Sequence, residues 1–144
     1  MNNLLLAGLI ALAACSQPQL IEEQQIVALT ILAEARGEGV RGMEAVAMVI
    51  KQRMINRSQT AQQVCLDPKQ FQCWTGKTRG ELEHLWESPE ASIAVDIVRR
   101  FDELDPAEIG HADHYCTVNI EPFWAIVQVP VVKIGNRTFY KLEQ

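Results

Sequence analysis

Residues 33–38 read Ala33-Glu34-Ala35-Arg36-Gly37-Glu38, two acids and an arginine set where an apolar helix meets a glycine. Upstream, Ile26, Leu29, Leu32 and Ala33 recur at helical spacing, so Glu34 falls near the end of a helix that otherwise faces a core. Downstream, Met43, Val46, Ala47, Ile50 and Met54 mark one face of a second helix. Gly37, Gly39 and Gly42 crowd the junction, which suits a tight corner from which a carboxyl side chain can look into a cleft.

Ser88-Pro89-Glu90 is a helix start, serine as cap and proline at the first helical position, leading into Ile93, Ala94, Ile97, Val98 and Phe101 on one face. Asp105-Pro106 ends that helix, and a polar loop follows through His111, Asp113 and His114. The final segment alternates from Val131 to Ile134 and from Arg137 to Leu142. Gly135-Asn136 between the two runs reads as a two-residue hairpin turn. The expected class is α+β, mostly helical, with a small C-terminal β-hairpin. At 144 residues there is room for one domain with a modest core.

Met1 to Ala14 form an apolar block too short to span a bilayer as a stable helix, so residues 1–14 read as a signal peptide. It ends in Leu12-Ala13-Ala14-Cys15, which looks like a bacterial lipobox whose cysteine becomes a lipidated N-terminus. By resemblance to lipoprotein sorting in Gram-negative bacteria, Ser16 rather than an aspartate after the cysteine favours the outer membrane, facing the periplasm. The polar stretch to Gln25 makes residues 15–25 a tether and 26–144 the folded domain. Net charge is −5 and no Lys or Arg stripe is present, which argues against a nucleic-acid partner.

The run from Leu29 through Gly42, Ala45-Val46-Ala47 and Val49-Ile50 resembles the bacterial cell wall hydrolase family that includes the spore-cortex-lytic enzymes. Further blocks follow in family order: Gln70-Phe71 before Cys73-Trp74, Ala112-Asp113-His114-Tyr115, Pro122-Phe123-Trp124-Ala125, and Ile134-Gly135-Asn136 before Phe139-Tyr140. The resemblance spans about residues 25–141. Two positions depart from the pattern, Gln52 where asparagine is usual and Arg137 where histidine is often found, and no role is carried over to either. The resemblance implies a lysozyme-like fold and cleavage of the peptidoglycan glycan strand between N-acetylmuramic acid and N-acetylglucosamine, by a monomer needing no cofactor.

Cleaving a glycosidic bond needs a proton delivered to the leaving oxygen by a carboxylic acid still protonated near neutral pH. Burial beside an apolar helix face and the negative end of the helix dipole both push Glu34 that way. Arg36, two residues on, points elsewhere if the helix persists and need not pair with it. Glu38 is a possible second carboxylate. The resemblance, however, suggests a lytic transglycosylase, in which Glu34 acts as acid and then base while the substrate's own 6-hydroxyl attacks the anomeric carbon. Glu38 is then structural, pairing with Arg36 or Arg41 or holding the turn.

Sugar rings stack on aromatic faces. Tyr115, Trp124 and Tyr140 carry polar tips and sit in the family blocks, so they are groove candidates with Gln70 and His114; Phe71, Phe123 and Phe139 read as core. With Cys15 lipidated, Cys65, Cys73 and Cys116 remain, and an oxidising envelope permits one disulfide. Cys65 with Cys73 is the expected pair, closing a loop that holds Gln70 and Phe71. His111, His114 and the thiols lack a standard zinc spacing, so no metal is expected. The alternatives are a hydrolytic muramidase, an N-acetylmuramoyl amidase cutting the peptide stem, and a non-catalytic lipoprotein that binds the wall.

Overall fold

The structure, a computed structural model, describes residues 19–144; the signal segment and Cys15 lie outside them. Helix α1 (Glu22–Ala35) is the centre of the domain. Seven consecutive residues, Ile26 to Leu32, are buried, so the helix is wrapped on all sides rather than laid on a surface. Helix α2 (Gly39–Arg57), α3 (Ala61–Leu66) and α5 (Ala91–Arg99) pack against it, and the four-residue α4 (Arg79–Leu82) lies alongside. The one polar side chain inside α1, Thr30, donates to the Ile26 carbonyl and accepts from the Trp74 indole N–H at 2.9 Å, so its burial costs no unpaired group. Among the described residues no helix is long and apolar enough to cross a membrane.

The chain leaves α1 at Arg36 and re-enters helix at Gly39, whose φ of +73° is the left-handed value the glycine-rich corner requires. Helix α1 begins at Glu22, inside the stretch expected to be tether; Glu22 and Glu23 supply acids to its first turn, where the dipole favours them. Helix α5 starts later than expected, with Glu90 rather than Ser88 at its N-cap position and no side chain bonding its first amides, and ends at Arg99; Phe101 belongs to a separate 3₁₀ turn. The Lys51 ammonium closes that turn by donating to the carbonyls of Phe101, Asp102 and Leu104.

The expected hairpin forms, β2 (Val132–Ile134) against β3 (Arg137–Tyr140), with Ile134 opposite Arg137 across Gly135-Asn136. A third strand, β1 (His114–Thr117), lies where a loop was expected and pairs antiparallel with β3, giving the order β1-β3-β2. Alternation along the strands sorts their side chains. Tyr115 and Thr117 share a face with their partners Phe139 and Arg137, and His114 and Cys116 share the other with Tyr140 and Thr138.

Buried Asp113, just before β1, ties the sheet to the helices. Its carboxylate accepts from the Leu142 and Glu143 amides, from Asn56 and from the His114 ring. Arg57 holds the same C-terminal segment through Glu143.

Candidate active site

Glu34 sits half-buried on the last turn of α1. Two cavities, of about 530 and 310 Å³, meet at this residue and share Glu34, Gln72 and Arg137 in their linings. Together they form a groove passing over the end of α1. Among the described residues Glu34 is the only carboxylate that lines either half.

Sheet and helix cooperate to fix that carboxyl group. The Tyr115 hydroxyl, on the inward face of β1, donates to Glu34 Oε2 at 2.8 Å. Burial, and after it the charge of Glu34, pushes the Tyr115 phenol well above its ordinary value, so it stays a donor. The Arg137 guanidinium carbon lies 4.7 Å from the centroid of the Tyr115 ring, and Nη2 donates to the backbone carbonyl of Glu34 itself. Arg137 thus braces both the helix end that carries the acid and the ring that orients it.

Glu38 completes the corner without entering the groove. Its Oε2 accepts the Asn136 amide at 3.2 Å, and Oε1 lies 4.0 Å from Arg137 Nε. The expected structural role is therefore met by other partners: Arg41 pairs with Glu44 and Glu108, and Arg36 donates to the Leu32 carbonyl. Glu38 holds the hairpin turn against the helix corner. Gly42 and Gly135 leave it room, since a Cβ at the first would lie 2.4 Å from Glu38 Cβ and one at the second 2.9 Å from its Oε2.

The other expected site residues divide. Gln70 lines the groove and accepts from Arg57 at 2.9 Å. Tyr115 reaches the groove as expected, but His114, Trp124 and Tyr140 do not line it. They lie across the sheet: the Trp124 ring stands edge-on to both His114 and Tyr140 at 5.4 Å, and Tyr140 is buried. The His114 Nδ1 is bound to Asp113 at 2.8 Å. These three pack together on the face of the sheet opposite Tyr115. Phe71 and Phe139 are core residues, whereas Phe123, expected in the core, is 89% exposed.

No disulfide joins Cys65 to Cys73; both, with Cys116, are free thiols. Cys65 is wholly buried under α1, its thiol pushed up to about 12 by desolvation. Cys73 lines the groove, and burial, then the charge and hydrogen bond of Glu34, raise it too, so it is a neutral donor near the acid. No cluster suited to a metal ion occurs among the described residues.

Several groove residues escaped the sequence reading: Gln72, Cys73, Arg53 and Arg137. Arg53 stacks over Phe71 at 5.0 Å and donates to the Asp113 carbonyl at 2.7 Å. The signal available for Arg137 was its position in the last family block, where it replaces a histidine.

A groove over a helix end, its carboxylate held by a tyrosine from a small sheet in a mostly helical domain, is a lysozyme-like arrangement. The chain belongs to the Cell Wall Hydrolase family, whose sequence model matches residues 37–140, beginning just beyond Glu34. It is similar to the solved catalytic domain of the Bacillus cereus SleB protein, at 26% identity and a TM-score of 0.65, covering 87% of this chain and 94% of that one. It is equally similar to the catalytic domain of the germination-specific lytic transglycosylase SleB from Bacillus anthracis, at 26% identity and a TM-score of 0.66, covering 87% and 99%. No curated protein sequence matches the chain.

Proposed function

We propose that the protein is a lytic transglycosylase that cuts peptidoglycan between N-acetylmuramic acid and N-acetylglucosamine, with Glu34 as its acid and base. The observation that carries this reading is that, among the described residues, Glu34 is the only carboxylate lining the groove. A retaining hydrolase needs a second carboxylate as nucleophile and an inverting one needs a second as base. Glu38, the nearest in sequence, is committed to the Asn136 amide and Arg137. A transglycosylase needs only one.

Protonated Glu34 gives its proton to the glycosidic oxygen as the bond from that oxygen to the muramic anomeric carbon breaks. The carboxylate so formed takes the proton of the muramic 6-hydroxyl, whose oxygen bonds to the same carbon. The 1,6-anhydro ring closes, no water is consumed and Glu34 regains its proton. Tyr115 engages one carboxyl oxygen, which fixes the rotamer and leaves the other for the substrate. The similarity to the Bacillus anthracis enzyme supports the same outcome. We further propose that lipid on Cys15 holds the enzyme to the outer membrane, facing the periplasm.

Digestion of purified sacculi is the test. The wild type should release muropeptides with 1,6-anhydro ends, insensitive to chelators, and Glu34→Gln should abolish release while remaining folded. Reducing ends would indicate a muramidase, and free stem peptides an amidase.

A further inference from the structure

Tyr115 is not alone at the acid. Glu34 and Thr30 lie four residues apart and share a face of α1, and a 3₁₀ turn, Gln72–Trp74, packs on that face. The Trp74 indole fixes the turn through its 2.9 Å bond to the Thr30 hydroxyl. That bond sets the preceding residue, Cys73, beside Glu34. Both line the larger half of the groove, and the Cys73 thiol is hydrogen-bonded to the Glu34 side chain. Of the two halves, Tyr115 lines only the smaller. The carboxyl group therefore meets a hydroxyl from the sheet on one side and a thiol from the turn on the other. Burial, and after it the charge of Glu34, keeps the thiol protonated, so it stands in the groove as a donor.

A group that must deliver a proton is hindered by strong donors around it. Hydrogen bonds to a carboxylate favour its ionised form, and an S–H group is a much weaker donor than an O–H. We infer that Cys73 is a positioning residue for the acid: its thiol steadies the Glu34 carboxyl from the larger half of the groove, holds it too weakly to keep it ionised, and gives way to the glycosidic oxygen when substrate enters. The inference rests on the glycan-cleavage reading for the role of Glu34, and holds whether the product is an anhydro sugar or a reducing end. Among the described residues the other titratable groups around the acid are Arg137, which reaches its backbone carbonyl, and Arg36, Lys77, His84, Arg53 and Cys116 along the two halves. A change at Cys73 replaces none of them.

The test pairs turnover with a spectroscopic readout that needs no turnover. Digestion of sacculi by the full-length wild type, Cys73→Ala and Cys73→Ser is followed from acid to neutral pH. Cys73→Ala should lose about three- to tenfold in turnover at the acid side, through loss of orientation, and its ratio to the wild type should not fall further as pH rises. Cys73→Ser puts a stronger donor on the carboxylate. Its ratio to the wild type should drop about three- to tenfold between the acid and the neutral side, a change of profile that mere damage to packing would not produce. In parallel, the infrared S–H stretching band of Cys73 is isolated by subtracting the spectrum of Cys73→Ala, with Glu34 intact and again in Glu34→Gln. The band should lie higher in Glu34→Gln, whose amide is the weaker acceptor. A Cys73→Ser ratio that is flat across pH, or a band indifferent to Glu34→Gln, overturns the inference. If the wild type releases nothing from sacculi yet the band moves with Glu34→Gln, the cleavage reading falls and the Cys73–Glu34 bond is upheld.

Discussion

The hydroxyl of Tyr115 and the carboxylate of Glu34 lie 2.8 Å apart, although 81 residues of chain separate them. One comes from the inward face of a short strand and the other from the last turn of the central helix. Tyr115→Phe removes this hydrogen bond while keeping the ring beneath Arg137 and beside Phe139. Turnover should fall about 10- to 100-fold through loss of orientation, with a stability change of only about 1–2 kcal/mol. Steady-state digestion and urea unfolding of the same sample check both figures. Unchanged turnover would show that Tyr115 does not orient the acid.

Glu38→Gln retains an acceptor for the Asn136 amide but gives up the charge facing Arg137. Activity should drop several-fold without vanishing. Gly135→Ala attacks the same clamp from the hairpin side, where φ is +55° and the new methyl would meet Glu38 Oε2. It should cost about 1–3 kcal/mol and lower activity more than Glu38→Gln does. Thermal melts and turnover measured in parallel decide the order.

The free thiols carry a prediction in alkali. Cys65 has a folded value near 12 against an ordinary value of 9.0, and Cys73 and Tyr115 are raised as well. Groups held protonated in the fold contribute stability that is present in full below their unfolded values and is lost as pH climbs toward the folded ones. Urea midpoints should therefore begin to fall near pH 9 and continue to fall to about 12. Cys65→Ala should flatten part of that slope. In native protein at neutral pH an alkylating reagent should spare Cys65, and non-reducing peptide maps should show no bridge to Cys73.

Asp113 and His114 lie in one family block yet serve the frame rather than the groove. Asp113→Ala strands the amides of Leu142 and Glu143 and should destabilise the protein by about 3 kcal/mol. His114→Ala should lower the melting temperature slightly and leave KM for glycan unchanged. A raised KM in His114→Ala would return the residue to the substrate groove.

Cys15→Ser, in the sequence Leu12-Ala13-Ala14-Cys15, should release the protein from the membrane fraction or leave it unprocessed. An unmodified Cys15 behind an intact Met1 in the mass spectrum of the wild-type protein would end the anchoring proposal.

What could be read from the chain followed from local physics. The apolar spacing of Ile26, Leu29 and Leu32 marked α1, and Gly135-Asn136 marked the hairpin, because both signals are complete within a few residues. Strand β1 escaped, since His114-Tyr115-Cys116-Thr117 is short and its partners lie 20 to 26 residues downstream. The same distance hid which aromatics reach the groove: Tyr115 and Tyr140 look alike in sequence, and only the β1–β3 register sends them to opposite faces. Arg137 was passed over because its importance lies in contacts with Tyr115 and Glu34, neither of them a neighbour in sequence.

The brace between Arg137 and the Glu34 carbonyl spans 103 residues. A chain is made from its N-terminus, so Glu34 leaves the ribosome long before β3, and any export of the chain unfolded repeats that order. Until the last strand docks, the acid has neither its tyrosine nor its brace. A wall-cutting enzyme built this way is inert as a nascent or partly translocated chain. Its site is complete only when the final segment has been made and has docked on the helix that was made first.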